Sequence, residues 1–413
     1  MLDGAAGEAV RFALSVVVSV AEALDAPDLI SIEQAHIDAC ALMAPSNLDF
    51  VERLAEVGGR VLVPTTLSMV SLDLEHWEAL GVPEAFSEPA RRIADAYRKV
   101  GCVPAWTCAP YQGYLTPRYG QQIAWGESNA VAYANSVLGA RTNRYPDYLD
   151  LCAAITGRVP NTGLHRAAHR RATVRIDAGK TRPEAWGSPA AWAAFGAWVG
   201  DRVGDRVPWI EGLGGARPSN DALKAFGAAA ASFGAVFLFH LEGITPEACT
   251  QGSGVRPEWT AEIVQVRDSD LSASWDAMSA KATTAAVDAV ILGCPHFSYG
   301  EFEELVGCIA RRGDPRMHGN VRGLVFASAP MVELARRGGL LEPLQRFGWT
   351  LVRDTCPFHS PVVRGDARTV VTNSGKCAYY APSELGADVR FGDLDACVEA
   401  AVTGRMERRE SPW

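Results

Sequence analysis

No stretch of this sequence is long and apolar enough to cross a bilayer. The most membrane-like run, residues 12–21, is roughly half the length of a spanning helix, and Arg11 and Glu22 flank it closely. A basic leader followed by a small-residue cleavage site is missing too, so the expected location is cytoplasmic, with no membrane partner. Positive charge is in short supply. The 39 Lys and Arg stand against 48 Asp and Glu, giving a formal net charge of −9, and no basic cluster is interleaved with aromatic residues. A nucleic-acid partner is therefore not expected. Internal repeats, low-complexity tracts and C-x-x-C pairs are likewise absent, so no local spacing marks a metal site.

What is present is an ordinary globular composition, 48% hydrophobic and 21% charged, over 413 residues. That length can bury a large core and predicts two or three lobes. Apolar runs followed by turn residues and then helical patterns recur along the chain, which predicts an α/β fold. Strands are expected at 60–63, 172–176, 235–240, 287–292, 323–327 and 348–352. Helices are expected at 7–24, 48–57, 88–99, 123–138, 190–199, 301–310 and 394–402, where apolar residues fall at three- and four-residue spacing. Stretches rich in Gly, Pro and charge at 177–189, 204–220 and 312–320 read as connections. Approximate lobes are 1–176, 190–312 and 320–413.

Ten cysteines in a cytoplasmic protein are expected to be reduced, which leaves buried thiols, reactive sites or a metal centre. Cys40, Cys152, Cys308 and Cys397 fall in helical patterns and read as small core hydrophobes. Three others share a different setting. Cys108 stands in Thr107-Cys108-Ala109-Pro110-Tyr111 after the extended-looking 102–106, Cys294 in Gly293-Cys294-Pro295-His296 after 287–292, and Cys356 in Asp354-Thr355-Cys356-Pro357 after 349–352. Each lies just past the C-terminal end of a predicted strand, where open α/β sheets place their ligand sites. A proline within two residues fixes φ and stiffens each loop. Ser298 and Glu301 form a capping box that starts a helix soon after Cys294, and a helix N-terminus favours the thiolate. On the residues alone the three are either buried cysteines in tight loops or metal-binding thiols. His296 adds a third reading, a thiol–imidazole pair with Cys294.

A second unusual segment spans residues 125–144. On the expected helix, Ser128 and Asn135 share one face and Asn129 and Ser136 the adjoining row. The other residues are mostly Ala, Val, Tyr and Leu, so the helix reads as buried on several sides, and its polar groups need partners from protein or ligand. Arg141 and Arg144 follow it. A guanidinium binds a carboxylate bidentately, and it also complements a helix C-terminus. Asn373-Ser374-Gly375-Lys376, after the apolar 369–372, resembles an anion-binding turn without the full P-loop pattern. His36, in Ala35-His36-Ile37-Asp38, is a candidate acid or ligand orienter, and His165 in Thr162-Gly163-Leu164-His165 stands similarly. Either could equally be a satisfied core histidine.

In order and spread these motifs resemble the catalytic part of the aconitase X family. The resemblance runs from Met1-Leu2-Asp3-Gly4 and Gly7-Glu8-Ala9 through Ala35-His36-Ile37-Asp38, Pro64-Thr65-Thr66-Leu67, the Cys108 segment and residues 125–144. It continues through Gly243-Ile244-Thr245-Pro246-Glu247-Ala248, 293–296, 354–356 and 373–376, and so covers nearly the whole chain. It implies an aconitase-like, multi-lobed α/β catalytic region with a cluster at the C-terminal ends of strands between lobes. It also implies Cys108, Cys294 and Cys356 as ligands of an iron–sulfur cluster, either a 4Fe–4S cube with one open iron or a smaller form. By the same resemblance His36, Ser128, Asn129 and Lys376 are catalytic candidates. Thr66, Ser68, Asn135, Ser136, Arg141, Arg144 and His165 are substrate-binding candidates. Two departures stand out: Ser68 replaces an expected Asn, and Ala39-Cys40 replaces a more usual Gly-Cys. The family also uses a small swivelling domain whose serine is implicated as the catalytic base. No comparable segment appears in this sequence, so a separate small subunit is the expected partner.

The implied reaction is removal of water from a small hydroxy acid by β-elimination. Arg141 and Arg144 would hold the carboxylate, the polar helix would orient the rest, and the partner would supply the base. Members of the family act on cis-3-hydroxy-L-proline or on mevalonate 5-phosphate. The former is the expected substrate, since no extra basic cluster for a phosphate is identified, and its product would tautomerise to Δ1-pyrroline-2-carboxylate. The alternatives are the large subunit of a mevalonate 5-phosphate dehydratase and a non-catalytic iron–sulfur binding or regulatory protein.

Overall fold

Small and branched apolar residues recur every three or four positions from Ala9 to Ala21, and the helix that forms, Glu8–Ala23, buries Ala9, Ala13, Leu14, Val17 and Ala21 on one face. The computed structural model describes residues 1–413 apart from 39, 259, 280–283, 364–366 and 408–409. Two units divide the chain. One comprises Met1–Thr173, Val207–Trp209 and Phe237–Ala261; the other comprises Val174–Arg206, Ile210–Val236 and Glu262–Trp413. No helix among the described residues is long and apolar enough to cross a membrane.

The first unit is organised by a short parallel sheet. Strand Ala35–Ile37 lies in the middle, with Thr65–Leu67 on one side and Ala124–Trp125 on the other. All three residues of the central strand are buried, so it can carry no exposed face. Asp150, at the start of helix Leu149–Thr156, fixes the turn that follows it. Its carboxylate accepts the Asp38 N–H at 2.7 Å and the Leu151 N–H at 2.7 Å. A separate antiparallel pair joins Leu29–Ser31 to Arg158–Pro160.

The second unit holds five parallel strands. Their spatial order is Thr350–Arg353, Arg322–Ala327, Ala289–Leu292, Thr369–Thr372, Asp388–Phe391. The chain lays down Ala289–Leu292 first and adds two neighbours on one side. It then returns to add Thr369–Thr372 and Asp388–Phe391 on the other. Consecutive parallel strands require crossovers, and helices Tyr299–Ala310, Ala329–Arg337 and Gly375–Glu384 supply them. The expected capping box is formed: Ser298 Oγ accepts the Glu301 N–H, and the Glu301 carboxylate accepts the Ser298 N–H.

A helix pair, Pro189–Val203 and Asn220–Gly234, packs backbone to backbone in the same unit. A Cβ at Gly196 would stand 2.3 Å from the Phe226 carbonyl oxygen, and one at Gly200 would stand 2.8 Å from the Ala230 carbonyl oxygen. Only glycine permits that approach. The segment expected as a connection, 204–220, joins the two helices and contains the short strand Pro208–Glu211, and the Ala-rich stretch after it lets the two helices touch so closely.

The α/β expectation holds, with parallel sheets in both units. Some element boundaries do not. Residues 60–63 form no strand, and Leu62 there is exposed; the pairing position is taken by Thr65–Leu67. The helix expected at 123–138 is a strand, Ala124–Trp125, followed by a shorter helix, Ser128–Ser136. Residues 102–106 form no strand; they pair only at the single bridge Thr66–Val103, and the segment turns at Ala105, whose N–H meets the Val103 carbonyl at 2.8 Å. Residues 235–240 form a strand only from His240 onward.

Replacing Gly196 with Val drives a side chain into a main-chain oxygen that cannot step aside. We expect the unfolding free energy to fall by about 2 kcal/mol or more, read from urea denaturation. An unchanged midpoint would mean that the helices separate freely.

Candidate functional site

Where a parallel sheet reverses the side on which strands are added, the chain leaves the two central carboxyl ends in opposite directions and a crevice opens between them. In the second unit that reversal falls between Ala289–Leu292 and Thr369–Thr372. Cys294 follows the first strand by two residues, and Asn373-Ser374-Gly375-Lys376 follows the second directly. The two loops are fastened together, since the Ser374 hydroxyl donates to the Cys294 carbonyl. The same hydroxyl accepts the Cys377 N–H at 3.0 Å and so caps helix Gly375–Glu384. A cavity of about 20 Å³, room for one small molecule such as water, lies against Gly293, Cys294, Asn373, Ser374 and Gly375. Lys376 is half-buried in the first turn of that helix.

Cys356 follows strand Thr350–Arg353 in the same sheet. The His296 imidazole joins the two cysteine loops through its Nε2, 2.8 Å from the carbonyl oxygen of Thr355. That nitrogen must carry a proton to donate there, so His296 is engaged in holding the loops. The Phe358 N–H points at the Cys356 sulfur at 3.4 Å.

In the first unit the strand order also reverses at the central strand, and the polar candidates gather at its carboxyl ends. His36 is fully buried. Its Nδ1 lies 2.9 Å from the Thr66 hydroxyl across the sheet, while Nε2 has no hydrogen-bond partner among the described residues. Cys108 stands one residue beyond Thr107, whose N–H bonds the Leu67 carbonyl. Ser128 and Asn129 share a single anchor. The Ser128 hydroxyl, at 3.3 Å, and the Asn129 side-chain amide, at 2.8 Å, both donate to the Glu127 carboxylate. Tyr111 donates to the Asn129 side-chain oxygen at 3.3 Å. Ser68 is buried, with its hydroxyl on the Met69 sulfur at 3.0 Å. Ala39 lies outside the described residues.

A further assembly surrounds Arg170, a fully buried cation paired to Glu247 at 2.8 Å. Its guanidinium reaches the Asn135 side-chain oxygen at 3.1 Å and the Asn135 carbonyl at 3.0 Å. The Asn135 amide donates to Thr142 and Phe237 carbonyls, each at 2.9 Å, and its oxygen also accepts the Thr142 N–H at 3.0 Å. Both donors and both acceptor sites are filled by the protein, leaving Asn135 no capacity for a ligand. Ser136 accepts the Phe239 N–H at 2.9 Å. His165 sits between Gln122, at 2.6 Å on Nδ1, and the Tyr145 hydroxyl on Nε2. Arg141 touches the His165 carbonyl at only 3.5 Å, and its Nε is buried with no hydrogen-bond partner among the described residues. Arg144 is exposed.

Sequence reasoning passed over Glu127, Asp150, Arg170 and Lys224. Asp150 and Lys224 are charges flanked by apolar residues, and that was the available signal; Arg170 stands among other basic residues and Glu127 between Gly126 and Ser128, so neither had one. Among the remaining cysteines, Cys40, Cys102 and Cys152 pack in the apolar core of the first unit, and Cys308 and Cys397 in that of the second. Cys108, Cys294 and Cys356 are each 7–8% exposed. Among the described residues no three or more His, Cys, Asp or Glu side chains group as a metal site.

Three family models match the chain in succession. They are Aconitase X first domain over residues 1–168, Aconitase X second domain over 172–276 and Aconitase X third domain over 287–403. The cis-3-hydroxy-L-proline dehydratase of Pseudomonas aeruginosa is 42% identical over 417 residues, spanning 100% of this chain and 70% of its own length. The enzyme of the same name from Hypocrea jecorina is 39% identical over 410 residues, spanning 99% and 68%. The phosphomevalonate dehydratase large subunit of Methanocaldococcus jannaschii is 32% identical over 399 residues, spanning 96% of each. Among solved structures, holo-form aconitase X of Thermococcus kodakaraensis superposes with a TM-score of 0.86 at 32% identity, covering 97% of both chains.

Burial governs the two histidines. It pushes His36 down to about 4, against the opposing pull of the Glu127 carboxylate and the Thr107 backbone. It pushes His165 to about 3, with Arg170 and Arg141 adding to the effect. Both rings are neutral at pH 7. Since the unfolded chain protonates near 6.5 and the folded one does not, each contributes stability that is complete above that pH and fades as pH falls toward the folded value. Replacing His165 with Gln should remove roughly 3 kcal/mol of the wild-type loss between pH 6.5 and 4. Chemical denaturation across that range measures it, and identical slopes for both proteins would contradict the buried neutral ring.

Proposed function

The chain belongs to the aconitase X family, and from that membership we propose that it dehydrates cis-3-hydroxy-L-proline to an enamine that tautomerises to Δ1-pyrroline-2-carboxylate. Its named relatives are dehydratases, and the chain is a hydro-lyase. One observation carries the choice of substrate: identity is 39–42% to the two cis-3-hydroxy-L-proline dehydratases and 32–33% to the phosphomevalonate dehydratase large subunits, over nearly the whole chain in each case.

Cys108, Cys294 and Cys356 are the proposed ligands of an iron–sulfur cluster. The donor chemistry fits, since three almost buried cysteines stand in loops at or beside parallel strand termini. When bound, such a cluster supplies a Lewis acid for the departing hydroxyl.

The chain's own residues bind and orient. Arg141 keeps spare donors on a guanidinium whose Nε has no hydrogen-bond partner among the described residues, which suits a substrate carboxylate, and exposed Arg144 is a second candidate. Ser128 and Asn129, held by Glu127, present polar groups to the substrate ring. Neutral His36, with Nδ1 on Thr66, offers Nε2 to exchange a hydrogen bond or a proton with a substrate oxygen. Thr66 and Ser68 stand behind it, and Lys376 is a candidate for the substrate's anionic end. Asn135, Ser136 and His165 act instead by fixing the backbone around Arg141. The proton beside the carboxylate is assigned to a base on a small partner subunit, a reading that draws on relatives named as large subunits.

A second reading is dehydration of mevalonate 5-phosphate, which the Asn373–Lys376 turn at a helix N-terminus favours. The test is an assay of the anaerobically reconstituted enzyme, with its small subunit, on both compounds. Turnover of cis-3-hydroxy-L-proline with Arg141→Ala raising KM by 10-fold or more supports the proposal. Turnover of the phosphate alone would sink it.

A further inference from the structure

Beyond the acidic first turn at Asp221, one charge interrupts the small, apolar sequence of helix Asn220–Gly234. It is Lys224, whose side chain is 2% exposed. An ammonium has three hydrogens to place, and each has an acceptor here: the Glu301 carboxylate, the Asp221 carboxylate at 3.2 Å, and the His296 main-chain carbonyl at 3.2 Å. Glu301 also accepts the Ser298 N–H at 2.8 Å, and the Ser298 hydroxyl donates to Asp221 at 2.9 Å. A buried ion pair gains little net stability over an apolar pair of the same volume, so its contribution lies in what it fixes.

What it fixes is the backbone two residues after Cys294. From there the His296 ring reaches the Thr355 carbonyl, one residue before Cys356, and Ser374 holds the Cys294 carbonyl from the other side. Lys224, Glu301 and Cys294 border the same small cavity. Groups that orient ligand-bearing loops tune a metal site nearly as strongly as the ligands themselves.

We propose that Lys224, paired with Glu301, is a positioning residue that sets the geometry in which the Cys294 and Cys356 thiolates hold an iron–sulfur cluster. This rests on the assignment of those cysteines as ligands.

Removing Lys224 alone would strand two carboxylates in the interior and risk the fold. The informative variant is Lys224→Met/Glu301→Gln, which neutralises the more buried pair, leaves an acceptor for the Ser298 N–H and leaves only the more exposed Asp221 carboxylate without its cation. The full chain is reconstituted anaerobically with iron and sulfide. Iron loss to a chelator, the electron paramagnetic resonance and visible circular dichroism of the cluster, and thermal melting are then compared with wild type. The expected result is iron loss faster by roughly 10-fold, with a shifted cluster spectrum. A lower melting temperature with wild-type spectrum and iron retention would show a merely structural pair and overturn the proposal. A wild-type protein that takes up no iron would overturn the ligand assignment and this inference together, whereas a normal cluster in both proteins overturns only the inference. If the double variant does not fold, Asp221→Asn removes the more exposed partner and is read the same way, with a smaller shift expected and no shift counting against the proposal.

Discussion

A parallel strand whose neighbours are added first on one side and then on the other leaves its carboxyl end uncovered, because the two departing loops turn away from each other. The second unit is arranged around that fact. Strand Ala289–Leu292 is the point of reversal, and the loops after it and after Thr369–Thr372 carry Cys294 and the Asn373–Lys376 turn. The first unit repeats the construction on a smaller scale, with His36 in the central strand and Thr107, Glu127 and Asp38 at the strand ends. Two different sheets therefore place reactive side chains by one geometric rule.

The thiols are aimed by backbone as much as by packing. A left-handed residue precedes each of the three: Trp106 at φ 43°, Gly293 at φ 88° and Asp354 at φ 63°. At Gly293 the reason is steric, since a Cβ would stand 2.0 Å from the Phe326 carbonyl oxygen. Asp354 is held there by bonds at both ends. Its N–H meets the Ala327 carbonyl at 2.9 Å, and its carboxylate takes the Ala329 N–H at 2.6 Å. Trp106 is buried beneath the Arg98 guanidinium. Non-glycine residues adopt this conformation at a cost, and they do so where surrounding contacts over-determine it.

Much of this was legible in the sequence. The apolar runs before Cys294 and Cys356 are strands, and the Ser298–Glu301 box caps a helix as its spacing requires. The failures have a common origin in partners distant along the chain. Gly126 breaks the helix expected at 123–138 because the Asp38 Cβ and the Asp150 carboxylate occupy the space a side chain would need, at 2.8 and 2.9 Å. Asn135 shares a helical face with Ser128, yet Arg170 and Phe237 saturate it, and neither is local. Lys224 has the same character, since only folding brings Glu301 and the His296 carbonyl to it.

The Ser374 hydroxyl has a consequence for how this protein can vary. One oxygen both receives the Cys377 N–H and gives its hydrogen to the Cys294 carbonyl, so it belongs to a helix and to a neighbouring loop at once. Asn or Asp could cap the helix but would reach too far to keep the second bond in register. Ala would lose both. Drift in the sequence can proceed almost freely on the surrounding surface while this position admits only a hydroxyl, making it a fixed point against which divergence among related chains could be aligned.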